Sequence, residues 1–224
     1  MFFDFFGTLV DYDPSIHPAA GNAPWDFARR AGVQISEETS NSLWQQSWDD
    51  MDADAARSGR EHSMHDIAQN YWRAIGSPAL TDGAIDRLID EYFQAWTQDV
   101  RIAPGARECV ADLGTDHTLA IVSNTHDARL VPRLARRFGL YDAMDRVVTS
   151  VETGWRKPHP AIFDTALRVC GAAARTTVYV GDNWAADVEG PRALGMPAIY
   201  VGTPGDGRAA VPLEDVPAVI RSLD

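Results

Sequence analysis

Five short segments of β-branched, aromatic and aliphatic residues punctuate this chain of 224 residues: MFFDFF at 1–6, TLAIVSN at 118–124, RVVTSV at 146–151, TTVYVGD at 176–182 and PAIYVG at 197–202. None alternates apolar with polar residues in the way of a half-solvated sheet, so each reads as a strand covered on both faces. Helical spacing fills 127–138, 160–170 and about 187–194 between the later segments, and 212–222 closes the chain. Strand alternating with helix requires a parallel sheet with right-handed crossovers, hence an α/β protein of three layers with about five strands.

The exception is the gap between the first two segments. Residues 14–117 offer no convincing strand, and the spacing predicts helices at about 24–31, 37–57, 61–75, 82–98 and 105–114. The last belongs to the crossover into the sheet. Residues 14–99 therefore read as an all-helical insert, and 1–13 with 100–224 as the domain that carries the sheet. The insert holds 14 acidic against 6 basic residues, out of 32 and 20 in the chain. A net charge of −12 repels nucleic-acid phosphates and anionic lipid, so neither partner is expected. The two cysteines, Cys109 and Cys170, make neither a disulfide framework nor a zinc spacing, which predicts a reducing, cytoplasmic setting. MFFDFF is broken by Asp4 and lacks a basic leader and cleavage site, so it does not read as a signal peptide. No apolar run reaches the roughly 18 residues of a membrane span.

In an open parallel sheet, ligands bind beyond the carboxyl ends of the strands. Polar residues stand there each time: Asp4 with Gly7-Thr8, then Ser123-Asn124-Thr125, Lys157, and Gly181-Asp182. A carboxylate in a buried strand is costly unless it is paired or used, so Asp4 either caps the following turn or does chemistry. Lys157 is the sole lysine among 20 basic residues, all others being arginine. Its compact charge fits between a carboxylate and a phosphoryl oxygen where a guanidinium would need more room. Asp182 and Asp187 lie five apart across a strand-to-helix turn, and with Asp4 they offer hard oxygen ligands suited to Mg²⁺. Pro191 is tolerable only in a first helical turn, which predicts a helix starting near Asp187 and leaves that residue the alternative of a plain N-cap.

Taken together, FFDFFGTLV, IVSNT, GWRKPHPAIF and VGDNWAADVEGPRALGM resemble, in order, the four motifs of the haloacid dehalogenase superfamily, most of whose members are phosphatases. The resemblance covers the whole chain. It implies a Rossmann-like core with the helical insert as a cap inserted after the first motif. It also implies Asp4 as a nucleophile that forms a covalent aspartyl intermediate, Ser123 and Asn124 as holders of the transferring group, and Lys157 as the neutralising cation. Mg²⁺ would be held by Asp4, Asp182, Asp187 and the backbone carbonyl of Phe6. Thr8 sits where backbone N–H groups can surround an incoming anion.

One position departs. The resembling phosphatases carry a second aspartate, the general acid–base, two residues after the nucleophile, where this chain has Phe6. The resembling dehalogenases carry an aromatic residue there, because halide leaves without a proton. Motif four argues the other way, since carbon–halogen hydrolysis needs no Mg²⁺ and those dehalogenases lack the full GDxxxxD. Three carboxylates beside one lysine would also repel one another without a cation.

The expectation is therefore an Mg²⁺-dependent phosphatase for a small phosphomonoester, working as a monomer or homodimer. The alternatives are a metal-free 2-haloacid dehalogenase using the same Asp4, and a non-catalytic binder of a phosphorylated ligand. His17, Asp11, Asp13 or an insert residue could stand in for the missing acid. Phe6, Trp155 and Trp184 flank the expected site and predict a partly apolar substrate pocket. Trp44 and Trp48, four apart in a helical stretch, either face that cleft or form the insert's own core.

Overall fold

The computed structural model describes residues 1–12, 18–76, 80–205 and 208–222. The chain forms two compact units, one of Met1–Tyr12 with Arg101–Asp224 and one of Asp13–Val100. His17 and Asp13 lie outside the described residues.

The first unit is built on a parallel sheet with β1 (Phe2–Phe3) at its centre. On one side lie β4 (Ala120–Ser123) and then β5 (Arg146–Thr149), and on the other β6 (Tyr179–Gly181) and then β7 (Ala198–Tyr200). Phe2 is in register with Ala120 and with Tyr179. The chain builds outward from β1 to β5, returns, and builds outward the other way, so the strand order reverses at β1. That reversal opens a crevice beyond its carboxyl end. The fold is the Rossmann-like α/β class that the alternating pattern predicts.

Helices cover the sheet because its strands are apolar on both faces. Against β4 and β5 packs α8 (Pro160–Cys170), bringing Ile162 and Phe163 onto Phe2, Val122, Val148 and Tyr179. Each fully buried phenylalanine there contributes roughly 1.5–3 kcal/mol. On β5 packs α6 (Leu130–Arg137) as well, while α5 (Ala106–Leu113) packs with α10 (Val216–Arg221).

The structure corrects two sequence expectations here. A short antiparallel pair, β2 (Val10–Asp11) with β3 (Arg101–Ile102), lies in the first unit where the chain departs and returns, although no strand was expected in 14–117. Two residues are too few to show a period. Nor does a helix start at Asp187. A π-helical turn spans Trp184–Glu189, with Asn183 as its N-cap accepting from the Ala186 N–H at 3.0 Å. The turn hands over to α9 (Gly190–Ala193), and Pro191 falls in the first turn of that new segment, where its missing N–H costs nothing.

In the second unit α1 (Pro18–Arg30), α2 (Glu37–Ser58), α3 (Met64–Ala74) and α4 (Asp82–Trp96) pack on one another. Ser36 caps α2, and Ser63 with Asp66 forms a reciprocal capping box on α3. Trp44 is buried against Tyr71 and Tyr92, with ring centroids at 5.2 and 5.0 Å, so it belongs to this unit's own core. Trp48 packs beside Tyr92 at 6.3 Å. Among the described residues no helix is long and apolar enough to cross a membrane.

Candidate active site

The ladder of β1 ends at Phe3, and a tight turn begins at once. Asp4 still donates its N–H to Val180 O at 2.9 Å, after which Phe5 O accepts from Leu9 and Val10, and Gly7 N–H reaches Val10 O at 2.8 Å. Gly7 has φ +86°, and a Cβ there would lie 2.3 Å from Asp182 Oδ2. Only glycine lets the turn pass so close to that carboxylate. The turn sets Asp4 at the mouth of the crevice and lets Thr8 Oγ1 donate to Asp182 Oδ1 at 3.1 Å.

Lys157 enters from the segment between α7 (Ser150–Thr153) and α8. Its Nζ lies 2.6 Å from Asp4 Oδ1, 2.7 Å from Asp187 Oδ1 and 2.8 Å from the Tyr179 hydroxyl. An ammonium has three N–H donors, and all three are directed. Lys157 and Asp4 are buried, and Asp187 is fully so. The second oxygen of Asp187 accepts from the Asn183 backbone N–H at 2.9 Å. A Cβ on Gly181 would fall 2.4 Å from the Asp187 Cβ, so glycine is needed for Asp187 to fold back under the strand.

The electrostatics follow from three carboxylates sharing one ammonium. Burial pushes the Asp4 carboxyl up to about 8, against the attraction of Lys157 and with the help of the Asp187 charge. Lys157 is held well above the usual lysine range: burial opposes its charge, but Asp187 and Asp4 outweigh it. Burial and then the Asp187 charge also raise Asp182, which hydrogen bonds from Thr8 and Asp4 partly relieve. One oxygen each from Asp4, Asp182 and Asp187 lies within 4.8 Å of the others. Hard oxygens with excess negative charge in a buried cluster fit a divalent ion of the Mg²⁺ kind.

The other residues singled out in the sequence take varied positions. Asn124 does not point its amide at open space: its Oδ1 accepts from the Lys157 N–H at 2.8 Å and its Nδ2 donates to the Lys157 carbonyl at 3.1 Å. Ser123 is buried and its hydroxyl faces the Asn124 carbonyl at 3.3 Å. The ring of Phe6 packs edge-on against Phe5 at 5.1 Å and Tyr12 at 5.8 Å. Trp155 stacks on His159 with centroids 3.8 Å apart. Trp184 lies edge-on to Tyr200 at 5.4 Å and donates to Glu189 Oε1 at 3.0 Å. Asp11 is exposed on β2.

Tyr179 is the member of the cluster that the sequence reading missed. Its signal was a phenol inside an otherwise aliphatic buried strand, where the O–H must find a partner.

The acidic cluster threaded by one lysine sits at the switch point of a parallel α/β sheet, the place where such sheets bind their ligands. The chain belongs to the haloacid dehalogenase-like hydrolases, whose family model matches residues 1–195. It is 28% identical over 229 residues to ribulose-1,5-bisphosphate 5-phosphatase of Halopiger xanaduensis, covering 99% of this chain and 92% of that one. It is also 28% identical over 213 residues to glyceraldehyde 3-phosphate phosphatase of Pyrococcus abyssi, covering 89% and 79%. Among solved structures it is similar to a 2-haloacid dehalogenase from Pseudomonas syringae, with TM-score 0.72 and 25% identity over 100% of this chain and 98% of the other.

Proposed function

We propose that the protein is an Mg²⁺-dependent phosphatase of small phosphomonoesters that works through an aspartyl-phosphate on Asp4. The observation that carries this reading is the buried cluster in which Asp4 meets Lys157 at 2.6 Å with Asp182 and Asp187 beside it. Displacement at carbon needs no metal cation, whereas phosphoryl transfer uses one, which Asp182 and Asp187 beside Asp4 would hold. The named phosphatases among the relatives support the same choice.

In the first step an Asp4 oxygen bonds to phosphorus as the ester P–O bond breaks and the alcohol oxygen leaves with its electron pair. In the second, water attacks the same phosphorus, inorganic phosphate departs and the Asp4 carboxylate returns. Lys157 fixes the Asp4 oxygen and spreads its charge. Asn124 holds the backbone on which Lys157 rides, and Ser123 and Thr8 supply hydroxyls at the strand ends. Bound by Asp4, Asp182, Asp187 and the Phe6 carbonyl, Mg²⁺ would neutralise phosphoryl oxygens. Phe6 offers no proton, so the leaving group must be good or take its proton from water. Phe6, Trp155 and Trp184 are assigned to the apolar part of the substrate. The two cysteines are free, which supports a cytoplasmic setting.

Phe6 favours a second reading, hydrolysis of a 2-haloacid by attack of Asp4 on carbon, which the similarity to the Pseudomonas syringae dehalogenase also supports. Phosphate release from p-nitrophenyl phosphate and halide release from chloroacetate, each with Mg²⁺ or with chelator and with Asp4→Asn as blank, separate the two. Phosphate release that needs Mg²⁺ and Asp4 is expected. Phosphate release that survives chelation, or halide release in its place, overturns the first reading.

A further inference from the structure

Lys157 is the only cation bonded to Asp4 in the described structure, so whatever aims its head group aims the nucleophile. Two of its three N–H groups go to carboxylates, and the third goes to Tyr179. Tyr179 is fully buried on β6, three residues before Asp182, with its ring edge-on to Phe163 of α8 at 5.5 Å. Its hydroxyl donates to the Val122 carbonyl on β4 at 2.7 Å. A phenol has one hydrogen to give. With that hydrogen committed to Val122, only a lone pair faces Lys157, and the contact has a fixed sense, ammonium to phenol.

The geometry points to Tyr179 as a positioning residue for the reaction. It is a neutral third acceptor, anchored to β4 and β6, that completes a three-sided cradle for the Lys157 ammonium and so sets the direction of the N–H that meets Asp4. The choice of residue follows from charge. A third carboxylate would deepen an already anionic cluster, and an aliphatic side chain would leave one buried ammonium hydrogen unpaired. A phenol supplies a lone pair without charge, and its ring lies with the Lys157 Nζ 5.2 Å from the centroid. This inference rests on the proposed phosphatase reading for its catalytic consequence, though not for the cradle itself.

Lys157 being the sole lysine, ¹⁵N-lysine labelling gives one ammonium signal to follow, without any activity. In the metal-free protein at neutral pH, that ammonium is expected to show slow-exchanging hydrogens with nuclear Overhauser contacts to the Tyr179 ring. Tyr179→Phe is expected to speed their exchange and shift the signal. With p-nitrophenyl phosphate and Mg²⁺, the variant should lose about ten-fold in kcat, the scale of one buried hydrogen bond, with KM changed by less than about two-fold. Ammonium hydrogens in the native protein that exchange as fast as those of free lysine, or that show no contact to the ring, overturn the cradle even if the variant does not fold. A folded Tyr179→Phe with unchanged signal and unchanged kcat overturns it as well. A cradle seen by resonance in a protein without phosphatase activity would refute the phosphatase reading while leaving the cradle standing.

Discussion

Asn124 grips Lys157 by the backbone, its side-chain amide accepting from the Lys157 N–H at 2.8 Å and donating to the Lys157 carbonyl at 3.1 Å. The two residues are 33 apart, so the amide ties the loop after β4 to the segment between α7 and α8. Both ends of the amide are needed, one as acceptor and one as donor, and no other side chain of that length offers both. Asn124→Ala should lower kcat roughly thirty-fold, from about 1 kcal/mol for each of the two bonds lost. Asn124→Asp should be at least as damaging, because it keeps the acceptor, loses the donor and adds charge beside the cluster. Steady-state kinetics with p-nitrophenyl phosphate measure both, and full activity in Asn124→Ala would separate the clamp from catalysis.

The pH dependence of stability follows from Asp4. Its carboxyl stands at about 8 in the folded protein against 3.8 for an ordinary aspartate, chiefly through burial. Between those values the folded state holds a proton that the unfolded state has released, so stability falls as pH rises across that window and levels off above it. Asp4→Asn removes this contribution. The melting temperature of metal-free Asp4→Asn, relative to that of the unaltered protein, should therefore climb from pH 5 to pH 8. Added Mg²⁺ should raise the unaltered protein more at pH 8 than at pH 5, since it competes with that proton. Thermal unfolding in buffered chelator or Mg²⁺ tests both signs, and a flat difference across the window would refute the assignment.

The backbone of the site makes its own prediction. At Gly7 an added Cβ would meet all three atoms of the Asp182 carboxyl group within 2.8 Å, and φ is +86°. Gly7→Ala should cost about 1–3 kcal/mol from the strained backbone alone and push Asp182 out of place. Gly139, with φ +72° and nothing within 4 Å, is the control, because substitution there carries the strain without the collision. Denaturant unfolding and Mg²⁺ titration should show Gly7→Ala losing both stability and metal affinity, and Gly139→Ala losing stability alone.

How much of this was legible in the sequence depended on whether a residue's partner was itself a patterned feature. The apolar runs around Phe2, Ile121, Val148, Val180 and Ile199 announced the parallel sheet because burial on both faces leaves a continuous apolar signature. Asp4, Lys157, Asp182 and Asp187 stood out as polar residues at the ends of such runs, and the structure brings them into one cluster. The Asn124 clamp was not legible, because its partner is a backbone N–H and C=O that every residue possesses. Nor was the role of Tyr179, whose partners on β4 and before α8 are neighbours only through the sheet order. The π-helical turn escaped because helical spacing does not distinguish a wide turn from an ordinary one over six residues.

Phe6 is the residue on which the chemistry turns. It occupies the third place of DFF, with its ring against Phe5 and Tyr12, and it can neither give nor take a proton. The alkoxide of an alkyl phosphate is a poor leaving group unless an acid protonates it, and general acid–base catalysis is worth about 10²–10⁴-fold. p-Nitrophenolate leaves readily and gains little from such help. Phe6→Asp should therefore raise kcat/KM for an alkyl phosphate such as glycerol phosphate far more than for p-nitrophenyl phosphate, by at least about ten-fold in their ratio. The ratio matters more than either rate, since a general loss of packing around Phe5 and Tyr12 would lower both together. An unchanged ratio in a folded variant would mean that another group already delivers the proton, and the substrate need not carry a good leaving group.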